Sequence, residues 1–225
     1  NRVSEVGFLS KYNAVITFSD FDKASLELEQ LNNVHAIPFP IIESEFLPKK
    51  QYAQPNKIVF IGNQGHTPNK DGLIWYLEKC HKKVFEKFNL PLVVIGNWTM
   101  KEEVLNNYSN VDFVGTVESI DPYYENAILV VPIFAGSGIR TKILYGMAKK
   151  VPIISTELGC QGLEVTDKKQ IFIANNVDAT IENIDYILNN EHVTKEVVEN
   201  AFQFVSKDYN QEAILNKRLQ LYNSL

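Results

Sequence analysis

The stretch Gly136-Ser137-Gly138-Ile139-Arg140-Thr141-Lys142 carries the residue types and spacing that could do chemistry. It follows an apolar run, Ile128 to Val131, that reads as a buried strand, and it opens a segment, Thr141 to Ala148, that reads as a helix. Glycines at 136 and 138 let the backbone approach a ligand closely, and the first turn of a helix offers unpaired N–H groups at the positive end of its dipole. Such an arrangement suits a phosphate. Arg140 and Lys142 stand at that same end, where the dipole mildly disfavours a cation, so an anionic partner explains them better than the helix does. A solvated basic helix start is the plainer alternative. A second glycine-bearing loop that converges on the same place weighs against it.

The elements that must position this stretch are regular from Lys57 onward. Strands are predicted at 58–61, 92–95, 111–114, 128–131, 152–155 and 171–174, alternating with helical segments, which implies a parallel sheet covered on both faces. The helix after the first strand is well specified. Thr67 is expected to cap it, Pro68 suits its first turn, and Leu73, Leu77, Cys80, Val84 and Phe88 recur at spacings of three or four, as core residues do. Helices are also expected at 178–188, 193 to about 206 and 212 to about 222. The fold class that follows is α/β, a doubly wound, six-stranded, Rossmann-like parallel sheet. In the common order 3-2-1-4-5-6, strands one and four are neighbours, and ligands bind in the crevice beyond their carboxyl ends. The loop after strand one, Gly62-Asn63-Gln64-Gly65-His66, then faces the loop from Ala135 to Ile139. His66 alone reads as a surface residue. No GxGxxG follows a strand and no GxxxxGK[ST] occurs, which weighs against a dinucleotide cofactor and against a P-loop nucleotidase.

The rest of the chain bounds these expectations. At 225 residues, with 45% hydrophobic content, it can hold one full core but hardly two. Residues 14–18 read as a strand, Ser19 as the cap of a helix running to about Gln30, and 34–37 as a second strand. Residues 1–40 are too few for a core of their own and are expected to be the tail of a preceding domain, more so as Asn1 is not a methionine. Residues 41–56 read as an extended linker, since Pro38, Pro40, Pro48 and Pro55 punctuate this region; 57–225 form the ligand-binding domain. A net charge of -5 argues against nucleic acid as a partner. The two cysteines, Cys80 and Cys160, have neither CxxC nor metal spacing, which suggests a reducing compartment and no structural zinc. The longest apolar run, Ala127 to Ala135, is too short to cross a bilayer, and no signal peptide opens the chain.

From Ile58 to the C-terminus the chain resembles the C-terminal, donor-binding domain of retaining GT-B glycosyltransferases, the "glycosyl transferases group 1" family. The matching pieces are Val59-Phe60-Ile61-Gly62 with Pro68-Asn69-Lys70-Asp71, Val94-Ile95-Gly96, Val111 to Val117 and, above all, Gly136 to Thr156. Residues 14–40 resemble the end of that family's N-terminal domain. The resemblance implies transfer of a sugar, with retention, from a nucleotide-diphosphate sugar to a glycan or lipid-linked acceptor. The acceptor is expected to bind through an N-terminal half that is mostly absent, so this fragment alone should not transfer sugar. No cofactor is expected, and no metal either, because Arg140, Lys142, the N–H groups around Gly138 and the helix start at Thr67 could meet the diphosphate charge and no acidic cluster suggests a metal. The expected setting is cytoplasmic, such as polysaccharide assembly, and compatible with peripheral association at the inner face of the membrane. Arg140 and Lys142 are the residues expected to stabilise the departing diphosphate. Gly62, Asn63, Gly136, Ser137, Gly138 and Ile139 are expected around the donor, with the main chain of Gly115, Thr116 and Val117 against the base. The sequence departs from the family at four places. Asn63 and Asn69 stand where many members carry Arg and Lys, and Ser137 and Tyr145 stand at the paired glutamates. Tyr145 reads equally well as a ribose contact and as a half-buried surface aromatic. Two rival readings are a non-catalytic nucleotide-sugar-binding module and a nucleotide-sugar epimerase-like enzyme.

Overall fold

The computed structural model describes residues 2–46 and 52–225. Part of the expected linker, 47–51 with Pro48, lies outside the described residues. The N-terminal part is α1 (Arg2–Leu9), β1 (Val15–Thr17), α2 (Asp20–Glu27) and β2 (Val34–Ala36), with β1 and β2 paired in parallel. Ser19 Oγ accepts from Asp22 N at 3.1 Å and so caps α2, which stops at Glu27, short of the expected end near Gln30. Gln30 is already left-handed, with φ 65°, a conformation that ends a helix.

From Lys57 the chain builds β3 (Lys57–Ile61), α3 (Thr67–Tyr76), a π-helical turn (Leu77–His81), α4 (Lys82–Phe88), β4 (Leu92–Ile95), α5 (Lys101–Asn107), β5 (Val111–Gly115), α6 (Asp121–Tyr124), β6 (Ala127–Val131), α7 (Thr141–Ala148), β7 (Ile153–Ser155) and β8 (Phe172–Ile173). Three helices close it: α8 (Val177–Asn189), α9 (Glu191–Asp208) and α10 (Gln211–Ser224). The six strands from β3 to β8 pair in parallel in the spatial order β5-β4-β3-β6-β7-β8, which is the expected 3-2-1-4-5-6. Every residue of β6 is buried, as a central strand covered on both faces requires. Alternation along the strands divides the core in two. Ile58, Phe60, Ile128 and Val130 face α3, α4 and α8, while Val59, Leu129 and Val131 face α7 and α9. Leu73, Leu77, Cys80 and Val84 fill the first face as the spacing implied, with Phe88 only half-buried at its edge.

Thr67 does not cap α3. His66 occupies the N-cap, its carbonyl accepts from Asn69 N at 2.9 Å and Lys70 N at 3.1 Å, and Thr67 is the first helical residue, ahead of Pro68. The region between the sheets is also less plain than an extended linker. Glu43–Glu45 form a 3-10 turn, and Ile41 is wholly buried, its N–H donating to Tyr209 O at 2.8 Å. The last helix turns back: Ile214 and Leu221 of α10 pack with Ile37, Ala14 and Ile16.

The register sets Val59 beside Leu129, so β3 and β6 end together at Ile61 and Val131, and their loops leave side by side. α3 lies hard against the second of these loops because Gly72 has no side chain. A Cβ there would stand 2.1 Å from Pro132 O, whereas one on Gly65 would meet nothing within 4 Å. Gly72→Ala is therefore expected to destabilise the fold by about 1–3 kcal/mol, the usual cost of overpacking, and Gly65→Ala to be neutral or slightly stabilising. Urea denaturation of the two variants checks the contrast.

Candidate ligand crevice between the first and fourth strands of the sheet

The loops that follow β3, β4 and β5 are tied into one platform. Gly62 N donates to Ile95 O at 2.9 Å, Gln64 N to Asn97 O at 3.0 Å, and Gly96 N to Gly115 O at 2.8 Å. Side chains complete the ties. Asn63 Oδ1 accepts from Asn97 N at 2.8 Å, while Gln64 Oε1 accepts from Thr99 N, Thr99 Oγ1 and Met100 N, all at 2.8 to 3.0 Å. Gln64 thereby fixes the two residues just ahead of α5. No local sequence signal marks this role, because its partners lie 35 and 36 residues away.

Across from this platform, the loop after β6 bends through Gly136 and Gly138 with φ of 94° and 87°, a left-handed region that side chains rarely adopt. It delivers two cations to the crevice. The Lys142 side chain is drawn inward, where its Nζ donates to Ile61 O and, at 2.8 Å, to Asn69 Oδ1, and lies 5.3 Å from the centre of the Phe60 ring. These acceptors are neutral. Arg140 Nη1 donates to Ser137 O at 2.7 Å, but its Nε and Nη2 are buried without any hydrogen-bond partner. Among the described residues, no carboxylate lies within 4 Å of either cation.

Electrostatics follow from this burial. Loss of solvent, together with the neighbouring charge of Arg140, pulls the Lys142 ammonium down from 10.5 to about 7. Burial alone lowers the Arg140 guanidinium, which stays charged. An unsatisfied buried donor costs on the order of 1–3 kcal/mol, and more when charged. A bound anion would relieve that cost at Arg140 and set an opposite charge beside Lys142.

The structure therefore brings Gly62, Gly136, Arg140 and Lys142 together, and adds Asn69 as the polar acceptor between them. The Asn63 oxygen is occupied by Asn97, so that side chain serves the platform first. Gly115 offers its carbonyl to Gly96 at 2.8 Å, so that group already serves the platform. Ser137 is exposed, Gly138 is open, and Ile139 lies half-buried beside Gly162. Tyr145 is half-buried one turn beyond Lys142. Burial and Glu45 raise its phenol, and Lys149 lowers it, so its charged neighbours are those two residues. Lys149, at the end of α7, is buried between Glu45 at 3.2 Å and Asp121 at 2.9 Å. His66 is exposed, as expected of a surface residue. Among the described residues there is no cluster of three or more metal-binding side chains, and no helix is long and apolar enough to cross a membrane.

Comparison with known proteins adds to this geometry. The family model described as "Glycosyl transferases group 1" matches residues 55–190. The chain is 28% identical, over 170 residues, to an uncharacterised 44.6 kDa protein in the cps region of Klebsiella pneumoniae, covering 71% of this chain and 44% of that protein. It is 24% identical over 159 residues to a Campylobacter jejuni α-1,4-N-acetyl-D-galactosaminyltransferase that acts on a diphospho-undecaprenol-linked glycan, covering 68% and 44%. The chain thus spans less than half the length of these relatives. Among solved structures, it is similar to Staphylococcus aureus TarM in a complex containing UDP, with a TM-score of 0.79 at 21% identity, covering 97% of this chain and 45% of that one. It is also similar to Anabaena Alr3699/HepE in complex with UDP-glucose, with a TM-score of 0.80 at 12% identity, covering 100% and 67%.

The buried ammonium makes a sign-definite prediction about stability. In the unfolded chain Lys142 stays protonated up to its usual 10.5; in the folded chain it releases its proton near 7. Between these values the unfolded state binds more protons, so stability rises with pH. That gain is complete above 10.5 and is lost as pH falls through 7. Lys142→Met, which carries no charge to bury, is expected to be more stable than the parent chain at pH 6. The advantage should shrink steadily toward pH 10, as thermal unfolding of the two proteins at each pH will show.

Proposed function

The chain belongs to the glycosyl transferases group 1 family, and on that premise we propose that it holds the nucleotide-diphosphate sugar donor from which a sugar passes, with retention, to a glycan or lipid-linked acceptor. The observation that carries this reading is the pair of cations in the crevice. Arg140 keeps two buried N–H groups unpartnered, and Lys142 has only neutral acceptors, so the site is complementary to an anion that is not part of the protein. The diphosphate of a nucleotide sugar is such an anion, and it gains charge as the glycosidic bond breaks. Preorganised cations and N–H groups aimed at that developing charge are the largest contribution a protein of this kind can make.

Roles follow from position. The Arg140 fork is suited to grip a phosphate through two parallel hydrogen bonds, while Lys142 supplies a point charge from beneath. The N–H groups from Gly136 to Ile139 and the open backbone at Gly138 line the path of the diphosphate. In this proposal the main chain of Thr116 and Val117 is assigned to the base, Tyr145 to the ribose and Ser137 to the sugar. The cations and the start of α7 already neutralise the diphosphate, so binding without a divalent metal is part of the proposal. The acceptor is assigned to a partner half that would complete the enzyme, and residues 1–225 alone are proposed to bind donor without transferring sugar. UDP and UDP-glucose, seen with TarM and Alr3699/HepE, are reasonable probes.

A hydrogen bond to a charged group contributes about 1.5–3 kcal/mol, so Arg140→Met is expected to weaken UDP binding by roughly tenfold to a hundredfold. Uridine, which lacks the phosphates, should bind the variant and the parent alike. Isothermal titration measures both, and equal weakening of uridine and UDP would place the charge away from the phosphates. The same titration in chelator and in magnesium should give similar UDP affinities; loss of all binding in chelator would contradict the metal-free reading.

A further inference from the structure

We propose that Asn69 is a positioning residue for this site: its neutral amide oxygen, with the Ile61 carbonyl, holds the Lys142 amine in the crevice uncompensated, so that a diphosphate is bound together with a proton. The inference rests on the diphosphate reading above and goes beyond it by naming what keeps the charge available and how binding responds to pH.

The geometry begins at Gly62. A Cβ on that residue would stand 2.6 Å from Asn69 Cγ and 2.8 Å from its Nδ2, so the amide is wedged against bare backbone at the end of β3. Wedged there, its Oδ1 takes one hydrogen of the Lys142 amine at 2.8 Å while Ile61 O takes another. Phe60 closes the underside of the amine at 5.3 Å from its ring centre. Both oxygens are partial charges only. They orient an ammonium and stabilise it weakly, but they do not neutralise it as a carboxylate would.

The titratable groups on the surrounding elements do not supply that neutralisation. Arg140, on the loop before α7, carries the same sign as Lys142. Tyr124 comes from α6, and its hydroxyl lies 3.5 Å from the Lys142 carbonyl; burial holds that phenol well above its usual range, so it stays uncharged. Tyr145 on α7 is raised as well. His66, Lys70 and Asp71 stand around the start of α3, and of all these groups only Arg140 perturbs Lys142. With burial and one like charge acting on it, the amine loses its proton near pH 7 in the free protein. An arriving diphosphate supplies the missing opposite charge, which favours the protonated form, and the amine takes a proton from solvent as the ligand binds.

The choice of Asn over Asp at 69 is then functional. A carboxylate of the same shape would keep the hydrogen bond to Lys142, yet it would pair with the ammonium permanently and repel the phosphates. A merely structural amide would tolerate that exchange.

The test follows Lys142 in the whole chain, with lysines labelled by 13C at Cε and the Lys142 signal assigned from Lys142→Met. In the free protein its titration is expected near pH 7, and saturating UDP should move the midpoint upward by at least about one unit. UDP affinity should weaken by up to about tenfold per unit of pH between pH 7 and 9, a range where UDP is largely ionised throughout. Asn69→Asp should fold like the parent by circular dichroism and hold Lys142 protonated beyond pH 9. It should also bind UDP at least about tenfold more weakly at pH 7, with a flattened pH profile. Three results each overturn the inference while leaving the diphosphate reading standing: a Lys142 midpoint near 10 in the free protein, UDP affinity that is flat from pH 7 to 9 in the parent, or Asn69→Asp binding UDP as the parent does. UDP binding no better than uridine would overturn both.

Discussion

The site depends on one physical constraint, an ammonium taken out of water without a counter-ion. Lys142 reaches across from α7 to the end of β3, and its bonds to Ile61 and Asn69 join the two central loops of the sheet. Transfer of a charge into such surroundings is costly unless something pairs with it. The protein offers only neutral oxygens, and its second cation, Arg140, adds repulsion. A fold that tolerates this arrangement must draw its stability elsewhere, and the two apolar layers on either face of the sheet supply it.

A contrast within the same helix shows that the arrangement is particular to the crevice. Lys149, at the other end of α7, is even more deeply buried, but it lies between Glu45 and Asp121. Burial with two carboxylates makes that lysine a tie between the segment before β3, the start of α6 and the end of α7. Burial without a carboxylate leaves the Lys142 charge without an opposite one in the protein. The same side chain is thus paired with carboxylates at one end of a short helix and left with neutral oxygens at the other, and the difference lies in what faces it. Tyr145 sits between the two, within the influence of Glu45 and Lys149.

Rigidity around the crevice comes from the loops beneath it. Asn63 and Gln64 spend their side-chain oxygens on the backbone at 97, 99 and 100, so the platform that holds Asn69 and Gly62 is fixed by hydrogen bonds before any ligand arrives. A receptor held in place loses little further freedom on binding, which favours affinity. The loop carrying Arg140 is tied by the guanidinium to Ser137 O, by Ile143 N donating to Arg140 O at 2.9 Å, and by the packing of Gly136 beside Pro68.

Much of the fold was legible in the sequence because its signals are local or periodic. Strand alternation, the apolar spacing from Leu73 to Val84 and the glycine at the end of β3 together implied the sheet, its order and the crevice between β3 and β6. Ser19 as a cap was legible for the same reason, since donor and acceptor lie three residues apart. The sequence also marked Arg140 and Lys142 as cations in need of an anion. It did not reveal that Asn69 accepts from Lys142, 73 residues later, that Gln64 accepts from Thr99 and Met100, or that Lys149 finds Glu45 and Asp121. Those partners are brought together only when parallel strands, each separated from its neighbour by a helix, come into register. Whether a buried charge is paired or left open depends on that long-range placement, and residue type alone does not encode it.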